Sequence, residues 1–312
     1  MNAASAPRLR GVLSPVLTPF DADLSPSVPR FVRHCRWLLD TGVGLSVFGT
    51  NSEANSLTVA EKRGLLDALL EDGVPPERLM PGTGTCAPGD TIELTRHAVA
   101  AGCAGVLMLP PFFYKGVSDE GLFRSFARVI DAVADERLRI YLYHIPPVAQ
   151  VGLSLALTER LLKAYPRTVA GIKDSSGDWN NTAALLREFQ PQGFDVFAGT
   201  ETVLLPTLRA GGAGCITATG NVNPAAIVDL YEHWTDAGAD DKQKALNETR
   251  AAFQKLPMIA AMKATIARQT GDAGWATVRP PLVEIEAAQR AMLAADLEAC
   301  GFRMPHASAL AA

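Results

Sequence analysis

Two short stretches hold side chains suited to covalent chemistry. Val169-Ala-Gly-Ile-Lys-Asp174 reads as a β-strand with a lysine at its carboxyl end, and Arg139-Ile-Tyr-Leu-Tyr143 as a second strand ending in a tyrosine. In the first, Val169, Gly171 and Lys173 alternate with Ala170 and Ile172, so one face carries the lysine and the other is apolar. In the second, Tyr141 and Tyr143 share a face opposite Ile140 and Leu142. A desolvated ammonium is costly unless it has a task. A lysine snorkelling to water fits the same pattern, and a buried phenol needs a partner in any case. If the strands are neighbours in one parallel sheet, roughly 4.8 Å apart, Tyr143 and Lys173 stand side by side.

A lysine so placed suggests attack on a carbonyl to form a Schiff base. The amine must react neutral, burial favours that form, and a phenol beside it can carry the protons of carbinolamine formation and dehydration. The protonated imine is then an electron sink for C–C cleavage, C–C formation or loss of water. Gly49-Thr-Asn-Ser52 suits close backbone approach to a small carboxylate, and reads equally as a helix-capping loop.

The elements that must position these residues follow from the rest of the chain. At 312 residues, 48% hydrophobic and 20% charged, it can bury a large core. A net charge of −4 gives no electrostatic case for nucleic acid. Strand-like runs occur at 12–16, 44–48, 79–82, 105–109, 139–143, 169–173, 195–198 and 214–217, most of them separated by helical runs. The Thr58-Val-Ala-Glu61 sequence resembles a capping box. Eight βα units predict an α/β protein, a (β/α)8 TIM barrel over residues 1–235, with a C-terminal helical extension over 236–312. The alternative is an open doubly wound sheet, for which no GxGxxG follows the first strand. Helices are expected at 241–253, 257–269 and 281–299, and a frayed tail from Met304 to Ala312.

Other chemistries find less support. The five cysteines are scattered, so neither a disulfide framework nor a zinc site is indicated, and a cytoplasmic setting is expected. The arm from Met1 to Arg10 has no apolar stretch typical of a signal peptide, and Ala98–Tyr114, though uncharged, is broken by glycines and prolines, so no membrane span is expected. His97 and His144 lack metal-ligand spacing, and no metal or other cofactor is expected. Gly211-Gly-Ala-Gly214 reads as a tight turn or a phosphate cradle, and Glu53 as a structural carboxylate.

Over nearly its whole length the chain resembles the dihydrodipicolinate synthase and N-acetylneuraminate lyase family of class I aldolases. The resemblance is carried by Gly49-Thr-Asn-Ser-Glu53, Tyr143-His-Ile-Pro146, Gly171-Ile-Lys-Asp174 and Gly211-Gly-Ala-Gly-Cys-Ile-Thr217. It implies Lys173 as Schiff-base lysine, Tyr143 as proton-shuttling phenol and Thr50 as relay hydroxyl. The Thr50–Asn51 backbone would hold the carboxylate of pyruvate or another 2-oxo acid, Ile216 would line the pyruvate pocket, and Gly199 would lie near the substrate tail. It also implies a homo-oligomer, a dimer or tetramer. The chain departs from the family pattern at Asn51 and Ser52. Val148 stands where dihydrodipicolinate synthases carry an arginine for the aldehyde's carboxylate, and Phe113, next to Tyr114, stands where they lend a tyrosine across the dimer.

Three readings follow. One is a Schiff-base lyase, aldolase or dehydratase, acting on a 2-oxo acid and an unidentified aldehyde or sugar-acid partner. The second is 4-hydroxy-tetrahydrodipicolinate synthase proper. The third is a non-catalytic 2-oxo-acid sensor on the same barrel.

Overall fold

The computed structural model describes residues 8–311 and is an α/β fold built on one parallel sheet. Most of the N-terminal arm and the final Ala312 lie outside the described residues. Strands β1 (Gly11–Ser14), β2 (Gly44–Leu45), β3 (Val106–Met108), β4 (Ile140–His144), β5 (Val169–Asp174), β6 (Asp195–Ala198) and β7 (Gly214–Ile216) lie in the order β2-β1-β7-β6-β5-β4-β3. Every ladder is parallel, so each strand needs a crossover back to the starting edge, and helices supply it.

The sheet curls until residues 79–82 join its two edges. Leu79 bridges to Leu45 of β2 and Gly82 to Leu107 of β3. The Met80 N–H donates to Leu45 O at 2.8 Å, and the Leu107 N–H to Pro81 O at 2.9 Å. A regular strand is expected here from the sequence, but Pro81 has no N–H to give, and the segment makes isolated bridges instead.

Helices Val28–Asp40, Val59–Glu71, Pro88–Ala100, Asp119–Val133, Leu155–Ala164 and Trp179–Phe189 cover the outer face. The capping box forms: Glu61 N–H donates to Thr58 Oγ1 at 3.1 Å and Thr58 N–H to Glu61 Oε2 at 2.8 Å. Inside the curl, Leu13, Leu107, Tyr141, Tyr143, Phe197 and Ile216 pack as one cluster. Simple alternation along β5 fails at one point. Ile140 pairs with Val169 but Tyr141 pairs with Gly171, a bulge that turns Ala170 into the interior cluster. Gly171 is required there, because a Cβ would sit 2.4 Å from Asp195 O and 2.7 Å from the Tyr141 ring.

Beyond residue 236 the helices are Ala239–Gln254, Met258–Thr270 and Ala287–Ala299. They bury Leu246, Phe253, Ile266 and Leu293 in the same apolar cluster as Phe20, Phe31 and Leu205. Two expectations are corrected here. Residues 281–286 are not helical: the helix begins after Glu286, whose N–H is capped by Gln289 at 2.9 Å. The tail is docked, not frayed. Ala307–Leu310 forms a 3-10 turn, Met304, Ala307 and Leu310 are buried, and Trp37 Nε1 donates to Pro305 O at 3.1 Å. Apolar burial holds the chain end down.

Candidate active site

The parallel register of β4 and β5 sets Tyr143 directly opposite Lys173. Lys173 Nζ donates to Tyr143 Oη at 3.2 Å, and that hydroxyl lies 3.1 Å from Thr50 Oγ1. The amine also stands 4.2 Å from the centroid of the Tyr143 ring. Lys173 is 2% exposed and Tyr143 4%. Among the described residues the phenol is the lysine's one hydrogen-bond partner. The neighbouring Asp174 makes no ion pair with it; its carboxylate is turned to the Ser176 N–H at 2.9 Å and the Thr182 hydroxyl at 2.6 Å.

Thr50 is delivered by the loop after β2. Residues Thr50–Ser52 form a 3-10 turn in which Ser52 N–H donates to Gly49 O at 3.1 Å and Gly49 N–H to Ser52 Oγ at 3.1 Å. The Thr50 and Asn51 N–H groups have no acceptor among the described residues. Phe48 (φ +62°) and Glu53 (φ +54°) flank the turn in the left-handed region, which is strained for residues with a Cβ. Glu53 is pinned there: its carboxylate accepts the Arg279 N–H at 2.9 Å and pairs with Lys263 Nζ. Lys263 is fully buried, donates also to Thr277 O at 2.8 Å, and lies 4.3 Å over the Phe20 ring. Burial outweighs the Glu53 carboxylate and lowers the Lys263 ammonium to about 8.

A cleft of about 390 Å³ opens above Lys173, its walls including Thr50, Asn51, Tyr143, Val148, Gly199 and Arg250. Gly199 has no room for a side chain, since a Cβ would lie 2.1 Å from Ser175 Oγ and 2.6 Å from Asp174 O. A larger groove of about 920 Å³, between helices Met258–Thr270 and Ala287–Ala299, contains none of these groups.

Of the residues singled out in the sequence, Lys173, Tyr143, Thr50, Asn51 and Gly199 all meet at this cleft. Ile216 lies beneath it, fully buried in the interior cluster with Tyr143. Phe113 is not brought to it within this chain: it is 72% exposed and packs edge-on against Tyr114, ring centroids 5.3 Å apart. His144 follows Tyr143 in the strand and its side chain is tied elsewhere. Its Nδ1 accepts the Leu153 N–H at 2.9 Å, and burial lowers its pKa. Gly211, at φ +84°, heads a tight turn closed by Gly212 N–H to Thr207 O at 2.8 Å.

Sequence reasoning missed Lys263, Arg279 and Arg250. Lys263 left a trace, as the lone charge within the apolar run Met258-Ile-Ala-Ala-Met-Lys-Ala-Thr-Ile266. Arg250 left none, because it sits in a charged, helical stretch like any surface arginine.

Side chains standing where the ends of parallel strands meet a cleft are the hallmark of an α/β enzyme. Known proteins are similar to this chain over nearly its whole length. The model of the dihydrodipicolinate synthetase family matches residues 8–300. An uncharacterized DapA-like lyase of Halobacterium salinarum is 33% identical over 94% of each chain. Among solved structures, dihydrodipicolinate synthase of Agrobacterium tumefaciens superposes with a TM-score of 0.87 at 30% identity, covering 95% of this chain and 100% of that one. YagE, a prophage protein of the same family from E. coli solved in complex with pyruvate, gives 0.86 at 28% identity over 95% and 99%. The chain belongs to the dihydrodipicolinate synthetase family and is a lyase.

Proposed function

We propose that this lyase works through a covalent imine between Lys173 and pyruvate or another 2-oxo acid, with no cofactor, on a ring read as a (β/α)8 barrel closed by residues 79–82. The observation that carries the reading is the chain Lys173 Nζ–Tyr143 Oη–Thr50 Oγ1, with links of 3.2 and 3.1 Å, opening into the cleft. The neutral amine attacks C2 of the 2-oxo acid. Tyr143 passes a proton to the carbonyl oxygen, and the carbinolamine loses water to give the protonated imine. Thr50 couples the phenol to the cleft so that the proton can be returned. The Thr50 and Asn51 N–H groups, which have no acceptor among the described residues, hold the substrate carboxylate. In the aldolase direction the C3–C4 electron pair moves toward the iminium, the C4 hydroxyl proton passes to the base, and an aldehyde leaves. The enamine is then protonated and hydrolysed. Loss of water next to the imine draws on the same sink.

Dihydrodipicolinate synthase chemistry proper is the weaker reading. Val148, on the cleft wall and 62% exposed, stands at the position where that activity uses an arginine, so the family's own contact to the aldehyde's carboxylate is missing. By the resemblance, the exposed pair Phe113 and Tyr114 is where a second copy would meet this one in a homo-oligomer.

The test is borohydride reduction in the presence of pyruvate followed by peptide mass spectrometry, with Lys173→Ala as control. A pyruvate adduct on the Lys173 peptide, absent from the variant, is expected. Saturable binding of 2-oxo acids without any reducible adduct would favour the sensor reading instead.

A further inference from the structure

We infer that Arg250, from the C-terminal extension, recognises a single carboxylate at the far end of the substrate, so that the preferred substrate is a 2-oxo acid bearing a second, distal carboxylate. This deepens the imine reading and rests on it. Arg250 stands on helix Ala239–Gln254 and forms part of the wall of the cleft that contains Lys173. One edge of its guanidinium is fixed: Nη1 donates to Glu201 Oε2 at 3.0 Å and to Thr217 Oγ1 at 3.2 Å. Glu201 is itself buried and saturated, since the hydroxyls of Thr217 and Thr219 donate to its two oxygens. The rest of the guanidinium is unspent. Nη2 makes no hydrogen bond among the described residues and is the donor group left open to the cleft, while Nε, also without a partner, is sealed from solvent.

A clamped guanidinium with free donors in a cleft wall is preorganised for an oxygen anion. Charge sets the kind of anion. Glu201 already balances one positive charge, and Asp174 and Asp178 also line the cleft. These three carboxylates outnumber Arg250, so each added negative charge is disfavoured and a dianionic phosphate is opposed more than a carboxylate, which would be held by hydrogen bonding to the guanidinium rather than by net charge.

The experiment compares borohydride trapping of 2-oxo acids matched in chain length. 2-Oxoglutarate and 2-oxoadipate are set against 2-oxopentanoate and 2-oxohexanoate, with 5-phosphono-2-oxopentanoate as the dianionic arm and pyruvate as control. The dicarboxylates are expected to trap at about 10- to 100-fold lower concentration than their neutral analogues, the range of a charge-assisted hydrogen bond. Arg250→Met combined with Glu201→Gln, so that no buried carboxylate is left unpaired, should erase that preference, read as the ratio of dicarboxylate to neutral-analogue trapping within the same variant. Arg250→Lys, which can still pair with Glu201, guards against a folding defect and should weaken the preference. Efficient pyruvate trapping without a dicarboxylate preference, or a preference for the phosphonate, overturns this assignment alone. Failure to trap any 2-oxo acid overturns the imine reading, and this inference with it.

Discussion

Lys173 and Lys263 are both buried, at 2% and 0% exposure, yet their surroundings differ in kind. Lys263 meets the Glu53 carboxylate, the Thr277 carbonyl and the face of Phe20. Lys173 meets a phenol. The first environment supplies a counter-charge and engages two of the amine's three donors, so the amine is committed to holding the loop of Thr50. The second supplies no counter-charge and leaves the nitrogen facing a cleft. Burial alone therefore does not mark a reactive lysine; burial without a carboxylate, beside a group able to move protons, does.

The comparison breaks most sharply on activity. Lys173→Met should lower turnover by about 10⁴-fold or more and abolish borohydride trapping. Its melting temperature should stay level or rise, because methionine fills similar volume without an amine to desolvate. A variant that unfolded would refute the contrast. Lys263→Met should do the reverse. It leaves Glu53 buried beside only the Arg279 N–H, and is expected to cost about 3–5 kcal/mol in chemical denaturation, while an adduct still forms on Lys173. Adding Glu53→Gln should restore part of that loss. Additive losses in the double variant would mean that the pair does not act as a unit.

Tyr143→Phe sharpens the comparison at the reactive lysine. It removes the hydroxyl between Lys173 and Thr50 and keeps the ring. Imine formation and turnover should fall by about 10²- to 10⁴-fold, measured as the rate of trapping and not its final extent. Equal rates would assign the proton transfers to water.

The two lysines also differ in how legible they were. Lys173 and Tyr143 lie at the ends of strands whose alternation is visible in sequence, and parallel pairing of consecutive strands sets them opposite each other. Local pattern and topology gave the same answer there. Where a single local departure decided the outcome, pattern failed: the bulge turning Ala170 inward, and Pro81 reducing a strand to two bridges. Lys263 and Arg250 pair across 210 and 49 residues, with Glu53 and Glu201. Nothing in a helix's own period reports a partner on a distant loop. The docked tail was missed for the same reason, since Leu310 is buried by helices far from it in sequence.

The smallest expected effect separates the lysines by pH. Burial, offset only in part by Glu53, lowers Lys263 from 10.5 to about 8 in the folded protein. In the unfolded chain the same amine keeps its proton up to its ordinary value. Between pH 8 and 10.5 the unfolded state therefore binds more protons at this site, and stability rises with pH across that window. Below pH 8 both states are protonated and the full cost of burying the charge is present. The slope cannot exceed about 1.4 kcal/mol per pH unit for one group. Other lysines and tyrosines titrate in the same range, so the quantity to measure is a difference. Urea unfolding of the native protein and of Lys263→Met at pH 7, 8, 9 and 10 should give a gap that shifts in favour of the native protein above pH 8. A gap that stays flat to pH 10 would mean that Glu53 holds the ammonium charged throughout, and the pairing at Lys263 would be stronger than its burial.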